Sequence, residues 1–142
     1  MKNDNIVIVA AKRTAMGAFQ GAFLSQSATD LGAAAIRAIL YDTNIDPHRI
    51  NEVYMGCVLA AGLGQAPARQ AALKGGLNQT TACTTINKVC GSGMKATMLA
   101  HDLIKAGTND IMISGGMESM TNAPYLLPKA RAGMRMGHGE IQ

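Results

Sequence analysis

The chain has 142 residues, enough for one domain with one buried core, and a mild formal net charge of +4. Glycine and methionine are abundant and tryptophan is absent, which suits helices packed closely on a sheet better than an aromatic-rich binding surface. Basic residues are dispersed apart from Lys129, Arg131 and Arg135, so no dense basic face points to nucleic acid, and no apolar run approaches the ~20 residues of a membrane span.

The opening MKNDNIVIVAA carries a short apolar run, Ile6 to Ala11, which is too short for an export signal. Its continuity predicts a strand buried on both faces. After a glycine-rich loop, SATDLGAAAIRAILYDT predicts a helix, with Ser27 and Asp30 spaced as a capping box and Leu31, Ala35, Ala38 and Ile39 on one face. Asp46-Pro47 breaks that segment, and EVYMGCVLA (Glu52 to Ala60) predicts a second strand. GLGQAPARQAALKGG then predicts a helix entered at Pro67 and stopped at Gly75-Gly76. ACTTIN predicts a third strand, Cys90 to Ala106 a third helix, and DIMISGG (Asp110 to Gly116) a fourth strand. Gly107 stands where a left-handed helix stop is wanted, with Lys105 just inside it.

The order is β-α-β-α-β-α-β, which implies an α/β fold: a layered helix–sheet–helix arrangement about a mostly parallel sheet. From about Thr121 the pattern loses its period, and TNAPYLLPKARAGMRMGHGEIQ reads as a loop or the start of a further unit.

Three cysteines, an odd number without a CxxC pair, suggest a reducing compartment and no disulfides. Cys57 and Cys83 lie in strand-patterned stretches and read as packing. Cys90 differs. In TTINKVCGSGMKA it stands at a strand-to-helix junction, with Asn87 placed to cap the helix and Cys90 in its first turn. Free N–H groups there favour a thiolate. Gly91 and Gly93 cost a helix roughly 1 kcal/mol each against alanine, which suggests that something bulky needs access to this backbone. The junction also falls at the carboxyl edge of a parallel sheet, where ligands bind. On residues alone, a nucleophile and a structural cysteine flanked by packing glycines stand side by side.

A nucleophilic cysteine wants a base within reach. His101 lies eleven residues along the same helix, about 16 Å away at ~1.5 Å per residue. His48 falls at a helix end, and His138 lies in the irregular tail. The spacings of histidine and cysteine give no metal site. GLGQAP and GSGMKAT, the latter with Lys95, lack the full dinucleotide and P-loop patterns. GGMES (Gly115 to Ser119) is expected at the carboxyl edge beside Cys90, with Glu118 as a hydrogen-bonding carboxylate.

NKVCGSGMKA (Asn87 to Ala96) resembles the nucleophile motif of the thiolases. RTAMGAFQG (Arg13 to Gly21), AGLGQAPARQAALKGG (Ala61 to Gly76) and SGGMESMTNAPYLLPKAR (Ser114 to Arg131) resemble further thiolase segments in the same order. The run after Ser119 is more similar to the biosynthetic branch, the acetyl-CoA acetyltransferases, than to the 3-ketoacyl-CoA thiolases of fatty-acid degradation. The resemblance implies a Claisen condensation of acetyl-CoA to acetoacetyl-CoA, or the reverse thiolysis, through an acyl-thioester on Cys90. In that chemistry the Cys90 N–H serves as oxyanion donor, and Gly91 and Gly93 clear space for the acyl group. It implies no cofactor beyond the coenzyme A thioester substrate and a homo-oligomer (dimer or tetramer), while spacing and composition point to no metal and no nucleic-acid or membrane partner, and the lack of a basic presequence to a cytoplasmic location.

Thiolases have two similar halves. The NEAF-type, GHP and CxGGG motifs of the second half do not occur in these residues. The chain is therefore expected to be the N-terminal piece of a thiolase. Residues 1–120 would form its first half-domain and residues 121–142 the truncated start of the loop domain. Such a piece is expected to be inactive alone in condensation, with an apolar face exposed and a sheet strand lacking a neighbour. The alternatives are a non-catalytic thiolase-like binding or assembly module, pairing through ACTTIN, and a related condensing enzyme acting on carrier-protein substrates.

Overall fold

The computed structural model describes residues 6–142. Three helices alternate with three strands: α1 (Ala28–Thr43), β1 (Glu52–Gly56), α2 (Pro67–Lys74), β2 (Ala82–Ile86), α3 (Ser92–Lys105) and β3 (Met112–Gly116). The sheet is wholly parallel in the order β2-β1-β3, so β1 is central. Strand alternation sends Val53 and Met55 to one face, where with Cys57 they join Ile36 of α1 and Ala68, Ala71 and Ala72 of α2 in the main core. The opposite face of β1 receives α3 at Gly56. A parallel sheet covered by helices on both sides is the α/β layering expected from the sequence.

The local signals explain most boundaries. Ser27 and Asp30 close a full capping box at the start of α1. Pro67 opens α2, and Gly76, at φ +100°, turns the chain away after it. Gly107, at φ +74°, follows α3, and the Thr108 N–H returns to the Leu103 carbonyl at 3.0 Å.

Four expectations are corrected. The first strand does not form: Ile6 to Ala11 joins no ladder, and Val7, Ile8 and Val9 are exposed. A strand exists by pairing, and β3, bonded to β1 on one side only, takes no neighbour from among the described residues. The second strand stops at Gly56: the Cys57 N–H still donates to the Ile86 carbonyl at 3.0 Å, and Val58 and Leu59 then turn off the sheet onto Glu118. On α1 the buried stripe is Thr29, Gly32, Ala33 and Ile36, while Leu31, Ala35, Ala38 and Ile39 are only half-buried. Small size decides this. A methyl at Gly32 would lie 3.2 Å from the Ala71 Cβ, so the two helices meet closely there. Finally, α3 starts at Ser92 and not at Cys90. Residues 121–142 are irregular apart from one short 3₁₀ turn, Ala130–Ala132.

The α1 cap is also an electrostatic joint with α2. The Lys74 ammonium reaches the Thr29 hydroxyl at 2.9 Å and the Asp30 carboxylate at 2.7 Å. Lys74 first, then the Ser27 hydroxyl, lowers Asp30 to about 2 from 3.8. The folded value lies below the unfolded one, so this stabilisation is full above pH 3.8 and is lost as pH falls through 2. Asp30→Asn is therefore expected to cost about 1 kcal/mol at neutral pH, the pair being half-exposed and screened. It should also flatten the acid limb of a stability-against-pH curve, as urea unfolding at a series of pH values would show.

Candidate active site

The link from β2 to α3 is a tight double turn. The Gly91 N–H donates to the Lys88 carbonyl and the Ser92 N–H to the Val89 carbonyl, each at 3.1 Å. The Ser92 hydroxyl donates to the same Val89 carbonyl at 2.6 Å and accepts the Lys88 N–H at 2.8 Å. Between these bonds Val89 is held at φ +49°. The left-handed region is a poor place for a β-branched residue, costing of order 1–3 kcal/mol. Cys90 follows it, exposed, one residue before the helix cap Gly91.

Two expectations change in consequence. Asn87 does not cap α3; its side-chain oxygen accepts the Val89 N–H at 3.1 Å, closing a local turn. Cys90 precedes the first helical turn, because the Lys88–Ser92 turn consumes the residues that would have begun the helix. The first bond across that boundary runs from the Lys95 N–H to the Gly91 carbonyl at 2.9 Å.

The surroundings are glycine against glycine. A methyl on Gly56 would lie 2.7 Å from the Ser92 Cβ and 2.8 Å from the Gly93 nitrogen, so α3 rests directly on the end of β1. At Gly93 the nearest atoms to an added methyl belong to Gly115 and Gly116, at 3.6 Å, and at Gly91 the Lys88 carbonyl stands at 3.4 Å. Those are ordinary contacts. Internal packing requires glycine at position 56 but not at 91 or 93, which removes helix–sheet packing as the reason for the pair beside Cys90. Of GGMES, Gly115 and Gly116 lie against the start of α3 at Gly93, whereas Met117 packs against Gly32 of α1.

Glu118 ties down the neighbouring loop. Its carboxylate accepts the N–H groups of Val58 at 2.9 Å and Leu59 at 3.0 Å, with the Cys57 thiol 3.7 Å away. Burial first, then the Glu118 charge, pushes the Cys57 thiol up to about 11. Burial also raises Cys83, with the Arg69 guanidinium opposing it. Cys57 is buried and Cys83 half-buried, unlike the exposed Cys90.

The other candidates lie elsewhere. His101 and its neighbour Asp102 are 3.1 Å apart on the exposed face of α3, beside Met94, Thr97 and Met98 in an open groove of about 310 Å³. His48, on the 3₁₀ turn Pro47–Arg49, has its Nδ1 2.6 Å from the Asn78 side-chain nitrogen. His138 sits in the irregular tail with Lys129 and Arg135. Among the described residues, no histidine is hydrogen-bonded to Cys90 and no three potential ligands come together around a metal. The GLGQAP loop spends its carbonyls internally: the Gln70 side chain donates to Leu63 at 2.7 Å and Gln65 at 2.8 Å.

Sequence reading missed Ser92, Val89 and Gly56. A serine between two glycines and a lone glycine inside a strand were available signals for the first and last. Nothing announces Val89, because left-handed backbone is what a valine least favours.

Residues 6–142 match the family model described as thiolase, N-terminal domain. The acetyl-CoA acetyltransferase of Schizosaccharomyces pombe is 51% identical over 141 residues, covering 99% of this chain and 36% of that protein. Its counterpart in Escherichia coli is 54% identical over 138 residues, 96% of this chain and 35% of that protein. Acetyl-CoA acetyltransferase 2 of Arabidopsis thaliana is 52% identical over 137 residues, 96% of this chain and 34% of that protein. The chain spans about a third of the length of these relatives. With a family match over all of its described residues, the chain belongs to the thiolase family, as a counterpart of the N-terminal domain.

Proposed function

We propose that this chain carries the nucleophile of an acetyl-CoA acetyltransferase, with Cys90 accepting the acetyl group. The observation that carries this reading is Cys90 itself. It is the exposed thiol of the three, and it stands on a fixed turn at the carboxyl edge of the sheet, just before two glycines, Gly91 and Gly93, that internal packing does not require. The Cys90 sulfur attacks the thioester carbonyl of acetyl-CoA. Its bond to the acetyl carbon replaces the bond to the coenzyme sulfur, and coenzyme A leaves as the thiol with the proton Cys90 gave up. The Cys90 N–H serves as an oxyanion donor in that step.

In the second step the methyl carbon of another acetyl-CoA, once deprotonated, attacks the acyl-cysteine to give acetoacetyl-CoA and free the thiol. That step needs a base, and no described histidine contacts Cys90. The reading for these residues is therefore the acyl-transfer step alone, and condensation draws on further groups, such as a C-terminal half packed over exposed Met94 and Met98. No cofactor enters beyond the coenzyme A thioester. Among the described residues no helix is long and apolar enough to cross a membrane, and three unpaired thiols suit a reducing compartment such as the cytoplasm. The outer edge of β2, free of a neighbour among the described residues, offers a pairing surface for a homo-oligomer.

The test is exchange of labelled coenzyme A into acetyl-CoA, which needs only the first step. The chain is expected to exchange label and Cys90→Ala to be inert. Gly93→Ala should keep the fold, since its methyl meets only ordinary contacts, yet slow exchange about tenfold by narrowing access to the thiol. Exchange that survives in Cys90→Ala would refute the proposal and leave the scaffold as an assembly module.

A further inference from the structure

The double turn before α3 contains a hydroxyl that does two jobs at once. Ser92 is buried, 5% exposed, with its Cβ against the end of β1. From that fixed point its oxygen holds the Val89 carbonyl at 2.6 Å and the Lys88 N–H at 2.8 Å. Those two groups flank Val89, the described residue between β2 and α3 with a left-handed backbone, at φ +49°. An unstrapped valine would relax towards negative φ, and the chain immediately after it is Cys90.

We propose that Ser92 is the positioning residue for Cys90: its hydroxyl straps the turn from below, keeps Val89 left-handed, and so fixes the point at which the thiol leaves the turn. The inference rests on Cys90 being the acyl acceptor. It assigns no contact between Ser92 and substrate. The rule it implies is that the hydroxyl matters only while position 89 opposes the left-handed state. Glycine enters that state without steric cost, so it should make the strap dispensable.

The experiment compares the 142-residue chain with Ser92→Ala, Val89→Gly and the double variant. Three quantities are read: acetylation of Cys90 by acetyl-CoA, alkylation of Cys90 by iodoacetamide, and hydrogen exchange of the Lys88 amide. Ser92→Ala is expected to slow acetylation about tenfold, a positional effect, while alkylation by the small, undemanding reagent stays within about twofold. Its Lys88 amide should exchange faster. The double variant should recover most of the acetylation rate, which a merely structural loss would not allow. Val89→Gly alone should acetylate like the parent, and it keeps the test open if Ser92→Ala fails to fold: a large loss in that variant overturns the proposal. So does an unchanged acetylation rate in Ser92→Ala, or a loss that Val89→Gly does not relieve. If the parent takes no acetyl group, the acyl-acceptor reading fails and the positioning claim falls with it. Faster Lys88 exchange in Ser92→Ala would still establish the strap as structural.

Discussion

Gly56→Ala lowers the stability of the chain by about 3 kcal/mol, at the upper end of the usual cost of overpacking. The new methyl would fall 2.7 Å from the Ser92 Cβ, 2.8 Å from the Ser92 carbonyl carbon and 2.8 Å from the Gly93 nitrogen. Two of these are backbone atoms in the first turn of a helix, so no rotamer change relieves the clash. Either β1 slides or α3 lifts. β1 is the central strand and carries the ladders to both β2 and β3, so lifting α3 is the cheaper response. That motion would also loosen the strap that Ser92 forms on Val89. A lower urea midpoint at an unchanged slope, with slower acetylation of Cys90, is the expected pair of results. An unfolding free energy within about 0.5 kcal/mol of the parent would show that α3 does not rest on Gly56.

Glu118→Ala is expected to be the next most damaging change, at about 1–3 kcal/mol. It strips acceptors from two backbone N–H groups, those of Val58 and Leu59, at the point where the chain leaves β1. Leu59 is partly open to water, which recovers some of the loss; Val58 is less so. Glu118→Gln should fall between, because its one remaining oxygen can satisfy one N–H while its amide nitrogen opposes the other. The substitution has a second readout. Cys57 is pushed up to about 11 by burial and, secondarily, by the Glu118 carboxylate. Removing that charge should move the pH profile of Cys57 alkylation downwards while burial keeps it above an ordinary thiol. An unmoved profile would mean that burial alone sets it.

What was legible in the sequence was written in short-range chemistry. The Ser27–Asp30 box, Pro67, Gly76 and Gly107 each meet a local backbone demand, and each marks a boundary where expected. Cys90 was legible as the thiol at a strand-to-helix junction, and Glu118 as a hydrogen-bonding carboxylate. What failed depends on partners distant in sequence. Ile6 to Ala11 has a strand's composition, but pairing decides a strand, and composition does not name the neighbour. The buried stripe of α1 follows Gly32 and Ile36 because α2 approaches closely there, with Ile36 against Gly75; ranking residues by apolarity favours the other face. The start of α3 moved by two residues because Ser92 and Asn87 close a turn whose strained member, Val89, carries no signal of its own.

The most direct measurement is the intact mass of the chain after incubation with acetyl-CoA, beside Cys90→Ala, followed by peptide mapping. The account predicts one adduct of about 42 Da, on Cys90 of the parent alone, with the buried Cys57 and half-buried Cys83 unmodified. An adduct that persists in Cys90→Ala, or a parent that takes none, would contradict it.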